Sequence, residues 1–399
     1  MKHLSKIPLL CAVFALFFLL GCEKQPAISP SAPPSSTEDP LPPPPPPKPS
    51  VWELCRERAA AMPVEQQVGQ LFFVRCPETG AAEDVAAYHL GGLLLFGRDF
   101  KDRTADEVRA TLQRYQAAAD LPLLIGVDEE GGTVVRVSSN PALAPARFSS
   151  PQKLYQKGGL EAVAADARAK SQLLWALGIN VNFAPVADVS TSAGDFIYQR
   201  AFGQPAAETA RYVETVVSAM QHFDDTQERR MGSVLKHFPG YGNNVDTHTG
   251  IAVDARPADR FFQEDLLPFA AGIDAGADSV LVSHNIVTCF DDTMPASLSA
   301  PVHALLRQEL GFSGVILTDD LAMDAVQAYA KDGGAAVLAL QAGNDMVVTT
   351  DYQTEIPRVI AAVEAGAIDR AALTDSVARV LLWKVRLGLL SPEEGSSAA

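Results

Sequence analysis

Polar residues that could do chemistry gather at the ends of apolar runs in this chain. Asp128, Glu129 and Glu130 close one such run, Lys236 and His237 a second, His284 a third, and Asp319 and Asp320 a fourth. Carboxylates beside imidazoles supply nucleophiles, general acids and general bases. Adjacent residues on a strand point to opposite faces, so only one of Asp319 and Asp320 can easily face a shared site. Asp246 and His248 form an Asp-x-His pair in a segment with the composition of a loop, a spacing that by itself signals a hydrogen bond within that loop. A metal-dependent hydrolase would use His237, His248, His284 and an aspartate. No strand end carries a paired His-x-His and His248 falls in the loop, so no metal or other cofactor is expected.

The elements that must position these groups are legible as a repeat. Eight apolar runs (Leu71–Val74, Gly92–Phe96, Leu121–Asp128, Val181–Asp188, Ser233–Phe238, Ser279–His284, Val315–Asp320, Met346–Thr350) read as parallel strands buried on both faces. Between them lie helix-patterned segments, among them Thr104–Ala119, Glu161–Leu177, Ala206–His222 and Ala325–Ala342. Alternating strand and helix, eight times over, predicts an α/β fold closed into a single (β/α)8 barrel, whose C-terminal strand ends converge on one mouth. A doubly wound open sheet is the alternative, but no Gly-rich phosphate loop follows the first strand.

Lys236-His237-Phe238-Pro239-Gly240-Tyr241-Gly242, followed by Asp246-Thr247-His248, resembles the signature of glycoside hydrolase family 3 in its single-domain β-N-acetylglucosaminidase branch. Four further segments match in the family's order. They are Val127–Gly132 with Arg136, Asn182–Asp188, Arg200–Gly203, and Leu310–Gly314 running into Thr318–Met323. The resemblance implies a retaining exo-β-N-acetylglucosaminidase acting on terminal N-acetylglucosamine of peptidoglycan fragments or chito-oligosaccharides, with water or phosphate as acceptor. It makes Asp319 the nucleophile and His248, oriented by Asp246, the acid/base. It assigns Asp128, Arg136, Arg200, Lys236 and His237 to contacts with the sugar. The branch usually has histidine at Tyr241, aspartate at Asn243 and a loop one residue longer, departures that flank the dyad without touching it. Two other readings are a β-glycosidase of the same family with a different sugar and a non-catalytic, anchored wall-sugar binder. Members with other sugars generally carry a second α/β domain, for which this chain has no room.

The remaining sequence concerns location. Lys2 and Lys6 precede an apolar run from Ile7 to Leu20, in the order of a secretory signal and too short to span a bilayer. Leu19-Leu20-Gly21-Cys22 resembles a bacterial lipobox, which implies a signal peptide over residues 1–21 and a lipid on Cys22. Glu23 fits the sorting pattern for the outer membrane. Residues 22–50 then read as a disordered tether, with 12 prolines between Pro26 and Ser50; as polyproline II it reaches about 75 Å at most. One catalytic domain is expected over 51–395. The formal net charge of −16 excludes a nucleic-acid partner. Cys55, Cys76 and Cys289 lack metal spacing and allow at most one disulfide.

Overall fold

The structure is a computed structural model, and it describes residues 49–391 apart from 225, 227–228, 245–249 and 331–333. The signal segment, Cys22 and the proline-rich stretch therefore lie outside the described residues, as do Asp246 and His248.

Eight parallel strands close into a barrel: β1 (Phe72–Arg75), β2 (Gly92–Leu95), β3 (Leu124–Val127), β4 (Val181–Asn182), β5 (Gly232–Phe238), β6 (Ser279–Val282), β7 (Val315–Asp320) and β8 (Met346–Thr349). Each pairs with its neighbours in the chain, and β1 closes the ring on β8 through Phe72 opposite Val347 and Phe73 opposite Val348. Inside, the Phe73 and Phe183 rings meet edge to face at 5.1 Å. A Cβ on Gly126 of β3 would lie 2.6 Å from one ring and 2.8 Å from the other, so glycine is what lets two phenylalanines fill the interior.

Helices cover the outside. Val51–Ala61 starts with a Ser50–Glu53 capping box and packs against the long helix Arg370–Arg386, while Ala105–Ala118 is capped in the same way by Thr104 and Glu107. Among the described residues no helix is long and apolar enough to cross a membrane.

Three expected elements come out differently. The run from Val181 to Asp188 forms a strand only at Val181 and Asn182, since Pro185 has no N–H to give; past them the chain follows β5 through Val234 N–H to the Ala184 carbonyl and Ala187 N–H to the Lys236 carbonyl, with one isolated parallel bridge between Val186 and Lys236. The helix expected from Glu161 to Leu177 forms, but an unexpected helical piece from Pro151 runs into it across non-helical backbone at Gly158 and Gly159. The helix expected over Ala325–Ala342 is two pieces, Asp324–Gln327 and Ala335–Ala342, the second entered through Gly334 at φ 84°. Side chains strain at that angle, and glycine does not. Cys55, Cys76 and Cys289 are free thiols.

Candidate active site

The three acids after β3 have three different jobs. Glu129 is buried and accepts from the backbone N–H groups of Arg136 (2.8 Å), Val137 (2.7 Å) and Ser138 (3.3 Å) and from the Ser138 hydroxyl, so it folds the following loop and presents Arg136. Asp128 meets Lys236 Nζ at 2.7 Å and Arg136 at 3.6 Å. Glu130 takes Arg200 on both oxygens, at 3.0 and 2.8 Å, and Lys236 at 2.6 Å. Burial alone would raise the Glu130 carboxyl, but Arg200 and Lys236 outweigh it and hold it far below the ordinary carboxylate range. Lys236 thus sits between two carboxylates, fixed in place.

On β5 the pairing register shifts between Leu235 and Phe238, which breaks strict alternation and lets both Lys236 and His237 reach the same side. His237 is held by Asp188, whose Oδ2 accepts from the ring Nδ1 at 2.7 Å and from the His237 backbone N–H at 3.1 Å, while Oδ1 accepts from Tyr241 N–H at 2.7 Å. Arg200 Nη2 lies 3.0 Å from His237 Nε2. A guanidinium can only donate, so in this arrangement Nε2 accepts and Nδ1 donates to Asp188.

Asp319 and Asp320 end β7. The Asp320 N–H donates to Asp319 Oδ1 at 2.9 Å, and Asp320 Oδ1 accepts from Ala322 N–H at 3.0 Å. His284, two residues beyond β6, places Nδ1 2.7 Å from the Ser297 hydroxyl and donates from Nε2 to the Asp320 carbonyl at 3.0 Å, bracing this strand end. Burial pushes the Asp319 carboxyl up, but His284 foremost, then His237, the Asp320 N–H and Lys236, hold it below the ordinary value, which favours the ionised carboxylate near neutral pH.

These groups share one cavity of about 350 Å³, lined by Asp128, Arg136, Arg200, Lys236, His237 and Asp319, with Arg75, Phe96, Glu130, Asp320 and Met323 among its other walls. A clasp stands beside it. Arg256 bonds Asp254 and Asp265 (2.8 and 2.9 Å), and Asn244 also bonds Asp254, so the chain before 245 is tied to the chain after 249. Burial raises Asp265 to about 6 against the pull of Arg256.

The family model described as glycosyl hydrolase family 3 N terminal domain matches residues 63–382. The chain belongs to glycoside hydrolase family 3. Among curated relatives, a beta-hexosaminidase of Xanthomonas campestris pv. campestris is 34% identical over 293 residues, covering 73% of this chain and 86% of the relative. One of Xanthomonas oryzae pv. oryzae is 35% identical over 318 residues, covering 78% and 90%. Among solved structures, a family 3 β-N-acetylglucosaminidase from Paenibacillus sp. FPU-7 superposes with a TM-score of 0.74 at 29% identity, covering 85% of this chain and 65% of that longer protein. A β-N-acetylhexosaminidase from Beutenbergia cavernae gives 0.72 at 31% identity, covering 82% and 99%.

In this glycoside hydrolase the barrel brings together all six of the expected site residues that are described; Asp246 and His248 fall outside the described residues. Sequence reasoning named Glu130 and His284 as polar strand ends but gave no part in the sugar site to Glu130, Asp188, His284 or Arg75. The first three stood at expected strand ends with charge or imidazole, which was the available signal; Arg75 closes a run read as ending at Val74. Tyr241 is buried against Val186 and Ile197, and Asn243 is exposed.

Proposed function

We propose that this glycoside hydrolase is a retaining exo-β-N-acetylglucosaminidase. In the first step Asp319 attacks the anomeric carbon as the C–O bond to the leaving group breaks, and His248, oriented by Asp246, protonates the departing oxygen. In the second, His248 takes a proton from water, which displaces Asp319 and restores the free carboxylate. Asp128, Arg136, Arg200, Lys236 and His237 hold the hydroxyls and acetamido group of one terminal sugar through charge-assisted bonds.

The observation that carries this reading is Asp319 at the tip of β7, opening on a cavity of about 350 Å³ walled by charged side chains, with its own carboxyl held below the ordinary value. That volume suits one sugar residue, which supports release from a chain end. The relatives' hexosaminidase and β-N-acetylglucosaminidase names support the sugar. Natural substrates on this reading are peptidoglycan fragments or chito-oligosaccharides.

Hydrolysis of a chromogenic β-N-acetylglucosaminide tests it. Asp319→Asn and His248→Ala should each lose about two orders of magnitude or more, and Asp246→Asn less. Full activity in Asp319→Asn would overturn the assignment. For location we propose that the chain is an envelope lipoprotein, lipidated on Cys22, tethered by its proline-rich segment and sorted to the outer membrane. Its test is incorporation of labelled fatty acid that disappears in Cys22→Ala; a wild-type protein that takes up no label contradicts it.

A further inference from the structure

The cavity's other cationic side chains are matched from within. Lys236 lies between Asp128 and Glu130, Arg200 grips Glu130, and Arg136 faces Asp128. Arg75, the last residue of β1, is the exception. Its guanidinium carbon lies over the Phe96 ring, 4.2 Å from the centroid, and among the described residues it has no carboxylate within ion-pair distance. Its Nε is buried with no hydrogen-bond acceptor. Arg136 approaches the same ring at 5.4 Å, and its Nε is likewise buried without an acceptor. Phe96 is therefore flanked by two cations whose donors are incompletely used, on one wall of the cavity that holds Asp319.

An arginine in this state favours a particular kind of ligand. Seating a substrate strips water from Arg75, and a neutral sugar leaves the guanidinium desolvated with no paired carboxylate, only the longer-range pull of Asp99, which is unfavourable. A carboxylate on the substrate cancels that charge and can be gripped by two parallel N–H bonds from a fork already stacked in place on the ring. The local cation also counters the chain's overall charge of −16, which repels an acidic ligand at longer range. On the proposed function the remaining cations are occupied by the terminal sugar, which leaves Arg75 for whatever is attached to it.

We propose that Arg75 is a specificity-determining residue that selects glycosides whose leaving group carries a carboxylate, an acidic sugar in preference to a neutral one. The inference rests on the glycosidase reading above and decides between its two substrate types in favour of the acidic one.

The test uses two aryl β-N-acetylglucosaminides, 4-nitrophenyl and 3-carboxy-4-nitrophenyl, with the intact enzyme and its Arg75→Gln and Arg75→Lys variants. The intrinsic reactivity of the two leaving groups cancels when each variant is divided by wild type. Arg75→Gln should lower kcat/KM on the carboxylated glycoside about tenfold or more, chiefly through KM, and on the neutral one by less than about threefold, since losing a charge-assisted pair removes more than losing a hydroxyl contact. Arg75→Lys, which keeps the charge but not the fork or the stacking, should fall between, and added salt should erode the difference. Parallel loss on both glycosides in both variants, or no loss on either, overturns the inference while leaving the glycosidase reading intact. Wild-type failure on both glycosides overturns that reading and this inference with it.

Discussion

Replacing Glu130 with glutamine should cost this enzyme both stability and binding. Glu130 is buried and takes three short contacts, 3.0 and 2.8 Å from Arg200 and 2.6 Å from Lys236. Glutamine keeps the shape but removes the charge, and one of its oxygens becomes an NH₂ that confronts a donor. Breaking a buried pair from one side typically costs about 3–5 kcal/mol. Lys236 keeps Asp128, which places the expected loss near the lower end, about 3 kcal/mol, or roughly 5 °C or more in Tm for a domain of this size. The pH dependence identifies the cause. The folded-state carboxyl is held below its unfolded value, so its contribution is fully present above about pH 4.5 and is lost as pH falls through the lower, folded value. Urea melts of wild type and Glu130→Gln should therefore differ by a constant amount from pH 6 to 8 and converge in acid. Because Arg200 and Lys236 both wall the cavity, kcat/KM should fall about tenfold or more. A difference under about 1 kcal/mol at pH 7, or one that grows in acid, would refute the reasoning.

Other outcomes follow from the same coordinates. Lys384 is fully buried, donates to Gln70 Oε1, and is pushed down to about 7 by burial and by the charge of Arg58. Its folded value lies below the unfolded one, so wild-type stability should gain a component as pH rises from about 7 to about 10, roughly 5 kcal/mol at most, which urea melts of Lys384→Met should lack. Asp188→Asn turns one of the two accepting oxygens into a donor, so it can no longer hold both the His237 ring and the Tyr241 backbone. It should raise KM more than it lowers kcat and leave Asp319-dependent chemistry in place, read from steady-state kinetics on the neutral glycoside.

Much of the fold was legible because parallel barrel strands are buried on both faces and read as unbroken apolar runs, as β6, β7 and β8 do. What misled was local backbone chemistry that composition hides. Pro185 cut the fourth ladder short, and the helical pattern that Ala and Leu content carried through breaks after Gln327, with Gly334 entering the next helix. At the site, charge at strand ends pointed to Asp128, Lys236, His237 and Asp319. It could not apportion work among Asp128, Glu129 and Glu130, because which one faces the cavity depends on a loop that Glu129 itself folds. Arg75 escaped notice because an unpaired cation is recognisable only once every neighbour is placed. Asp188 drew no role for a similar reason, since its partners lie 49 and 53 positions away.

The central claim is an attacking carboxylate at Asp319. Wild-type enzyme should be incubated with a 5-fluoro-N-acetylglucosaminyl fluoride, which slows release of a glycosyl-enzyme relative to its formation, then digested and sequenced by mass spectrometry. The account predicts one sugar adduct, on the Asp319 carboxylate, and none in Asp319→Asn. An adduct on Asp320, or inactivation that leaves the Asp319 peptide unmodified, would contradict it.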